Sequence, residues 1–324
     1  MPRHTRARHR ATTALAAAGL IGGLSLTACQ GAGVTPNAAA AERSRPATTS
    51  ATAAAPTATK PTQPTQPAPS RAALDRLATA SFNISDGLEV GVGMPISVTF
   101  KHPIPAAERA DVERLLKVTA DPGVTGGWAW IKDRNLNDGQ RVDFRPKAYW
   151  KPGTKVSLQA GPGISRTFTV ARSLVATVDV RTHRMTVVKD GAANQTIPIT
   201  AGAPGMDTWN GTMVVSDKER SVMMDSRTVG YGDSYLGRYN YAVHLTTSGT
   251  YLHENPKANT YGGHRNVTHG CIGLANDGTA RRFFEQVIPG DVVRVTGSKD
   301  EVVAGNGYGD WNVPWSTWLG LSAL

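Results

Sequence analysis

The sequence predicts a mainly β protein whose folded part consists of two successive β-rich units. The 324 residues include 34 glycines and 20 prolines against an aromatic content of 6%, which favours short strands and turns over long helices. Apolar residues alternate along several short stretches, such as "PISVTF" and "TKVSLQA", and turn signals separate them. The length suffices for about two domains of roughly 100–200 residues each.

Residues 1–28 are typical of an export signal. Four arginines precede the apolar run "ATTALAAAGLIGGLSL", which is short for a membrane span, and small residues follow it. The next letters, from Leu26 to Cys29, read "LTAC" and resemble a bacterial lipobox. That resemblance implies cleavage before Cys29 and its lipidation, with ordinary signal cleavage as the alternative. The sequence therefore predicts an exported lipoprotein, anchored in the cell membrane and facing the cell wall.

The charge and the cysteines narrow the class of protein further. The net charge of +10 falls to +6 without residues 1–28, because they carry four arginines and no acid. This excess is modest, and no block of lysines and arginines remains, so nucleic acid is not expected as a partner. If Cys29 carries lipid, Cys271 has no partner in its own chain and is predicted to be a free thiol.

Composition divides the rest of the chain. Residues 29–78 are rich in Ala, Thr and Pro and are predicted to form a disordered linker, since they offer little apolar surface for burial. Residues 79–172 are predicted to form a small immunoglobulin-like β-sandwich, with the turn signals "DPG" and "NDG" between strands and a short helix at 106–116.

The second β-rich unit is predicted at residues 173–298. It opens with the candidate hairpin "VATVDV" and "RMTVVKDG", and it contains one amphipathic helix with Ala280, Phe283 and Phe284 on its apolar face. Asn276 or Asp277 is expected to cap that helix. Residues 299–324 hold a tryptophan-rich extension that is expected to pack back on this unit, with a carbohydrate-stacking patch as the alternative.

The stretch "YLHENPKANTYGGHRNVTHGCIGLAN" brings several reactive side chains close in sequence. A Gly-rich loop can bring His253 beside Cys271, and His269 shares a face with Cys271 if the chain is extended there. A histidine that takes the thiol proton would leave an ion pair and lower the pKa of the thiol. The following helix N-terminus would favour the thiolate as well. The amides of Gly270 and Cys271 are candidates for oxyanion binding.

A zinc site that adds His264 to His253, His269 and Cys271 is the alternative, but no paired-ligand motif supports it and no metal is expected.

His253, a loop and "THGC" at residues 268–271 resemble the L,D-transpeptidase catalytic domain, also called the YkuD domain. The stretches "MMDSRTVG", "TTSGTYLHE" and "GDWNVPWSTW" are similar to the mycobacterial-type enzymes of actinobacteria, which carry immunoglobulin-like domains ahead of the catalytic one. The resemblance covers about residues 81–320. It implies a YkuD-type catalytic fold at 173–298 and 3→3 cross-linking of peptidoglycan stem peptides, without a cofactor.

The same resemblance implies a role for each site residue. Cys271 would be the nucleophile, and His253 the proton donor and acceptor, held by the backbone carbonyl of Glu254. His269 would support the oxyanion region, to which Gly270 would contribute its N–H. Substrate contacts are expected from Tyr235, Ser248, Gly249 and Gly273.

Two positions depart from the family pattern. Gly273 stands where the mycobacterial-type enzymes usually carry an asparagine, and Val229 where relatives can carry an aromatic residue on a lid. Acylation of Cys271 by a carbapenem is expected by similarity. The alternatives are an L,D-carboxypeptidase that uses water as the acceptor and a non-enzymatic lipoprotein that binds the cell wall.

Overall fold

The computed structural model describes residues 68–324 of the chain. The predicted export signal, Cys29 and most of the predicted linker lie outside the described residues. Within this range, no helix combines the length and the apolar character needed to cross a membrane. The described chain is mainly β, as predicted, and each of its two β-rich units is built from two sheets around its own core.

Helix α1 (Arg71–Ala78) stands in a segment that was expected to be disordered. Its N-cap is Ser70, whose hydroxyl oxygen accepts a hydrogen bond from the Ala73 amide at 3.2 Å. Ala73 and Leu77 lie one turn apart and are buried in the core of the first unit. The prediction of a disordered linker is therefore wrong for residues 71–78, because the prolines end at Pro69 and a capped, amphipathic turn follows.

The first unit is an immunoglobulin-like sandwich of eight strands. Their bounds are β1 (Ser81–Phe82), β2 (Leu88–Gly91), β3 (Ile96–Thr99), β4 (Leu116–Asp121), β5 (Gly126–Trp130), β6 (Arg141–Pro146), β7 (Lys155–Ala160) and β8 (Ser165–Arg172), with α2 (Ala106–Glu113) before β4. One sheet has the order β1-β3-β6-β5 and the other β2-β8-β7-β4. Ile96, Val98 and Phe100 alternate into the core between the sheets, as their spacing predicted.

The second unit contains nine strands. Their bounds are β9 (Leu174–Asp179), β10 (Arg184–Lys189), β11 (Ala192–Pro198), β12 (Gly211–Val214), β13 (Asp217–Asp225), β14 (Leu236–His244), β15 (Tyr251–Glu254), β16 (Ile272–Leu274) and β17 (Val292–Thr296). The helices are α3 (Lys257–Tyr261), α4 (Thr279–Gln286) and, in the extension, α5 (Trp315–Leu319), and 3₁₀ turns span Ser226–Val229 and Asp310–Asn312. A five-stranded sheet of order β11-β10-β9-β17-β12 and a four-stranded sheet of order β13-β14-β15-β16 contribute to one core.

Helix α4 contributes its apolar face to the core of the second unit. Ala280, Phe283 and Phe284 are buried, as their spacing predicted. The boundary residue is Gly278, and Asp277 supplies the expected capping hydrogen bond, because its carboxylate accepts from the Thr279 amide at 3.0 Å. Residues 272–274 form a strand before this helix begins, so Cys271 does not lie at a helix N-terminus.

Close backbone contacts fix the two units to each other. The Gly91 amide donates to the Pro289 carbonyl at 2.9 Å, and a Cβ on Gly91 would lie only 2.4 Å from the Asp291 nitrogen. Arg172, the last residue of β8, forms two hydrogen bonds to the buried Asp291 carboxylate, at 3.0 and 2.9 Å. Burial raises the pKa of Asp291 to about 6, although the Ile288 amide and Arg172 oppose this.

The tryptophans of the extension pack on the sandwich, not on the second unit as predicted. Trp318 is fully buried and its indole N–H donates to the Gly127 carbonyl at 2.9 Å. The Arg145 guanidinium of β6 lies 4.6 Å from the Trp318 ring centroid, 4.9 Å from that of Trp311 and 5.2 Å from that of Trp315. The tryptophans pack here because their rings surround the Arg145 cation and because Gly127 has no side chain in their way.

The earlier part of the extension lies against the second unit. The Asn312 side chain accepts from the Thr212 amide at 2.7 Å and donates to the Thr212 carbonyl at 2.7 Å. The Val302 amide donates to the Asn210 carbonyl at 2.9 Å. The extension therefore bridges the two units, and its packing assigns the tryptophans to structure rather than to a carbohydrate-stacking patch.

We predict that Trp318→Ala lowers the free energy of unfolding by about 3–5 kcal/mol, since it removes a fully buried aromatic side chain from the bridge. Urea unfolding followed by tryptophan fluorescence measures the change. Leu324→Ala, at a side chain that is 65% exposed, is the control and should stay within about 0.5 kcal/mol of the wild type. Equal stability of the two variants would contradict the packing role of Trp318.

Candidate active site

Two neighbouring parallel strands position Cys271 and His253. In the ladder between β15 and β16, Leu252 lies opposite Ile272 and His253 opposite Gly273. Cys271 precedes Gly273 by two residues, so its side chain projects from the same face of the sheet as that of His253. Both side chains line one cavity of about 170 Å³.

The imidazole of His253 is held in one orientation. Its Nδ1 lies 2.6 Å from the Glu254 carbonyl oxygen, so Nδ1 carries the proton and donates it. This leaves Nε2 as the acceptor, and the edge contact with Tyr239, at 4.8 Å between ring centroids, holds the ring. Burial lowers the pKa of His253 to about 4, only partly opposed by the Glu254 carbonyl. The resting imidazole is therefore neutral and able to accept a proton.

The thiol of Cys271 is also buried and uncharged. It is 8% exposed, it is unpaired, and its Sγ donates to the Gly249 carbonyl at 3.6 Å. Burial raises the pKa of Cys271 to about 11, although the Tyr251 amide opposes this. Desolvation therefore disfavours the expected thiolate–imidazolium pair in the resting protein. The proton must leave the thiol as attack occurs.

In the turn that leads to the thiol, the backbone N–H groups of Gly270 and Cys271 are available to a ligand. Gly270 has φ +108°, and the Thr268 hydroxyl donates to the Cys271 carbonyl at 2.6 Å across the turn. Within the described residues, neither the Gly270 nor the Cys271 amide donates to an acceptor. Two such amides beside a thiol can bind the oxyanion that forms when a carbonyl is attacked.

Residues 226–235, which we call the flap, lie beside the cavity. Val229 packs so closely on Gly249 that its Cγ1 lies 2.6 Å from the place of a Cβ there. Tyr231 and Tyr235 lie 6.3 and 5.2 Å from the His269 ring, measured between centroids. The flap thus contacts Gly249, whose carbonyl accepts from the thiol, and His269, which lies two residues before Cys271.

The structure separates His264 from the other three residues of the alternative zinc site. His264 lines a different depression, with Arg265 and Lys299, whereas His253, His269 and Cys271 line the cavity. Between residues 68 and 324, no three side chains of the His, Cys, Asp and Glu types are placed to hold a metal ion together. The arrangement in the cavity is instead that of a nucleophile, a base and oxyanion donors.

Comparison with known proteins gives the family. Residues 173–295 match the sequence profile of the L,D-transpeptidase catalytic domain (YkuD), and residues 32–161 match that of a bacterial Ig domain. The chain is 35% identical over 222 residues to L,D-transpeptidase 1 of Mycobacterium tuberculosis, an alignment that covers 67% of this chain and 84% of that protein. The chain belongs to the L,D-transpeptidase family.

Solved structures of L,D-transpeptidases share this architecture. One in complex with imipenem aligns with a TM-score of 0.60 and 34% identity, over 67% of this chain and 97% of that one. L,D-transpeptidase 3 from Mycobacterium tuberculosis aligns with a TM-score of 0.59 and 32% identity, over 68% of this chain and all of that one, 100%. The chain spans 56% and 59% of the lengths of L,D-transpeptidases 5 and 2 of the same species, at 35% and 31% identity.

The residues that the L,D-transpeptidase resemblance assigned to substrate binding fall into two groups. Tyr235 lines the cavity, and the Gly249 carbonyl reaches the thiol. The Ser248 hydroxyl accepts from Trp209 and Asn306, each at 2.9 Å, and Ser248 does not line the cavity. These hydrogen bonds hold the hydroxyl within its loop, and the substrate contact of Ser248 stays a prediction.

Gly273 also lies outside the residues that line the cavity, and its substrate contact stays a prediction. Its amide donates to the Thr200 carbonyl at 2.7 Å and its carbonyl accepts from the Thr200 amide at 3.1 Å. A Cβ at this position would lie 2.9 Å from the Thr200 methyl and 3.0 Å from the Asn255 Cβ. Only glycine fits at this position, because the Thr200 and Asn255 side chains fill the space that a larger residue would need.

The cavity also contains residues that the sequence reasoning missed. Tyr239, Asn255 and Lys257 line it. The signal for Tyr239 was available, since Tyr235 and Tyr239 are separated by an even number of residues around the start of β14 and their rings lie 6.2 Å apart. Asn255 and Lys257 follow β15 in a short turn, and no periodicity marks such positions.

We predict that alkylation of Cys271 by iodoacetamide accelerates about tenfold per pH unit between about pH 7 and 10, because the raised thiol pKa leaves the thiolate fraction small and growing. Mass spectrometry of the Cys271 peptide at each pH measures the rate. His253→Gln should keep this slope, since a neutral imidazole does not set the resting ionisation. A rate that is flat from about pH 6 to 9 would show a resting thiolate and contradict the neutral pair.

Proposed function

We propose that this protein is a peptidoglycan L,D-transpeptidase that forms 3→3 cross-links between stem peptides through a thioester on Cys271. The observation that carries the proposal is the shared cavity, in which an unpaired thiol, an imidazole with a free Nε2 and two open amides line up along one strand end. The membership of the L,D-transpeptidase family supports the same chemistry.

In the first half-reaction, Cys271 Sγ attacks the carbonyl between the diamino acid at position three of a donor tetrapeptide and its terminal D-Ala. His253 Nε2 takes the thiol proton as the C–S bond forms, because neither group is charged at rest. The Gly270 and Cys271 amides bind the oxyanion. The intermediate collapses when His253 returns the proton to the leaving amine, which releases D-Ala and leaves the thioester.

In the second half-reaction, the side-chain amine of an acceptor stem attacks the thioester. His253 removes a proton from the attacking amine and gives it to the departing thiolate, which restores the resting pair. One peptide bond is formed for the one broken, so the exchange needs no nucleotide and no cofactor. Such a reaction is suited to the space outside the membrane.

The proposed location follows from the N-terminal sequence. Export through residues 1–28 and a lipid on Cys29 would anchor the protein at the membrane surface, and the Ala/Thr/Pro-rich segment would place the folded units towards the wall. The partners would be donor and acceptor stem peptides. Globomycin-type inhibition of signal cleavage in the native host, read by the mass of the N-terminal peptide, tests the lipid on Cys29.

We predict that incubation with a carbapenem adds the mass of one drug molecule to Cys271. Intact-mass spectrometry follows the adduct. Cys271→Ala should gain no mass, and His253→Gln should acylate about 100-fold more slowly or worse, the range typical of a lost general base. An unlabelled wild type, or equal labelling of Cys271→Ala, would defeat the proposal.

The products separate transfer from hydrolysis. With a purified tetrapeptide donor that also supplies the acceptor amine, we predict a cross-linked dimer by mass spectrometry, whereas an L,D-carboxypeptidase would release the tripeptide. Cys271→Ala should give neither product. Tripeptide as the sole product of the wild type would replace transpeptidation by hydrolysis and keep the thioester chemistry.

A further inference from the structure

Lys257 supplies the only permanent charge among the side chains that line the cavity. None of the lining residues is an acid. The pKa of His253 is lowered by burial, and burial raises the pKa values of Cys271 and Tyr235, so these groups are neutral near pH 7. An ammonium in such a setting gives this wall of the cavity a positive potential.

Lys257 has no anionic partner in the structure. Among the described residues, no carboxylate oxygen lies within 4.0 Å of its Nζ. The acid nearest in sequence, Glu254, accepts from Asn240 at 3.2 Å and does not line the cavity. The ammonium is therefore available to a ligand.

Asn255 adds a second donor on the same wall. Its Oδ1 accepts from the Lys257 amide at 3.0 Å, which closes the turn and fixes the side chain. The Nδ2 of the same side chain lies 3.2 Å from the place of a Cβ on Gly273 and has no acceptor within residues 68–324. Because Gly273 has no side chain, the Asn255 amide fits beside it, and Asn255 is one of the residues that line the cavity.

We propose that Lys257 Nζ and Asn255 Nδ2 bind a free carboxylate of the donor stem peptide. This inference rests on the proposed function and names the part of the substrate that the cavity selects. An ammonium and an amide N–H on one turn are the complementary pair for a carboxylate. The attacking amine of the acceptor carries no negative charge for Lys257 to bind, so the carboxylate is assigned to the donor.

The test compares four donor tetrapeptides on the full-length protein. One carries all its carboxylates, and each of the others is amidated at a single carboxyl group: that of residue two, the second carboxyl of the diamino acid, or the C-terminal D-Ala. We expect one amidation to lower kcat/KM of the wild type about tenfold or more, as the loss of a charge-assisted hydrogen bond does. The position at which this occurs identifies the carboxylate.

Lys257→Gln should remove that discrimination, so that the free and amidated donors react equally. Lys257→Glu should reverse it in favour of the amidated donor. Asn255→Asp keeps the oxygen that closes the turn and replaces the N–H donor by an anion, so it should also disfavour the free carboxylate. Arg281→Gln is the matched control: it removes one positive charge from the exposed face of α4 and should keep the wild-type ratios.

Each result decides between the proposals. Ratios that are the same in the wild type and in Lys257→Gln at all three positions overturn the carboxylate site while turnover continues. Absence of turnover on every donor, with no acylation of Cys271, means that the proposed function has failed instead. Discrimination by the wild type that weakens as salt rises and is lost in Lys257→Gln supports the site.

Discussion

The site depends on the burial of a thiol and an imidazole that stay neutral beside each other. Water would stabilise a thiolate and an imidazolium, and burial keeps water from both groups. In the proposed reaction, the nucleophile would therefore form only when a carbonyl arrives, as the proton passes to Nε2 of His253. The Glu254 carbonyl fixes the tautomer, and the open amides of Gly270 and Cys271 are placed to bind the negative charge that the attack would create.

The surrounding fold keeps that arrangement rigid. The two β-rich units meet through backbone contacts that admit no side chain at Gly91, and the extension bridges them. Beneath the bridge, the buried Arg141 forms hydrogen bonds to Asp143 and Asp133 and to the Gly307 carbonyl. Burial alone would lower the pKa of Arg141, but these carboxylates raise it instead, so the cation persists as a tie between the sandwich and the extension.

The sequence predicted the features that local patterns encode. Alternation identified strands such as β3, and helical spacing identified α4, because side chains that share a face must be buried together. The sequence also predicted that His253 lies near Cys271. The strand that holds His253, the Gly-rich loop after it and the i, i+2 spacing of His269 and Cys271 limit the ways in which the chain can fold back. The sequence did not reveal helix α1, because its eight residues directly follow a segment whose Ala, Thr and Pro content indicates disorder.

Other features depend on three-dimensional surroundings that no local pattern records. The pKa of a thiol is set by its surroundings, and Tyr235, which lines the same cavity as Cys271, lies 36 residues earlier in the sequence. Trp318 packs on Gly127, which is far away in sequence, because Gly127 has no side chain and the Arg145 cation lies beside the indole ring. The steric need for glycine at position 273 is hidden from the sequence for the same reason, because its neighbours Thr200 and Asn255 are brought to it by the fold.

The covering of the thiol also bears on the fate of the proposed thioester. A thiol that is 8% exposed admits few water molecules, whereas an amine delivered on a stem peptide brings its own binding energy to the same place. Desolvation lowers the local concentration of water without affecting a bound acceptor, so it favours transfer over hydrolysis. In the proposed reaction, the burial that raises the pKa of Cys271 would therefore also protect the acyl group from water.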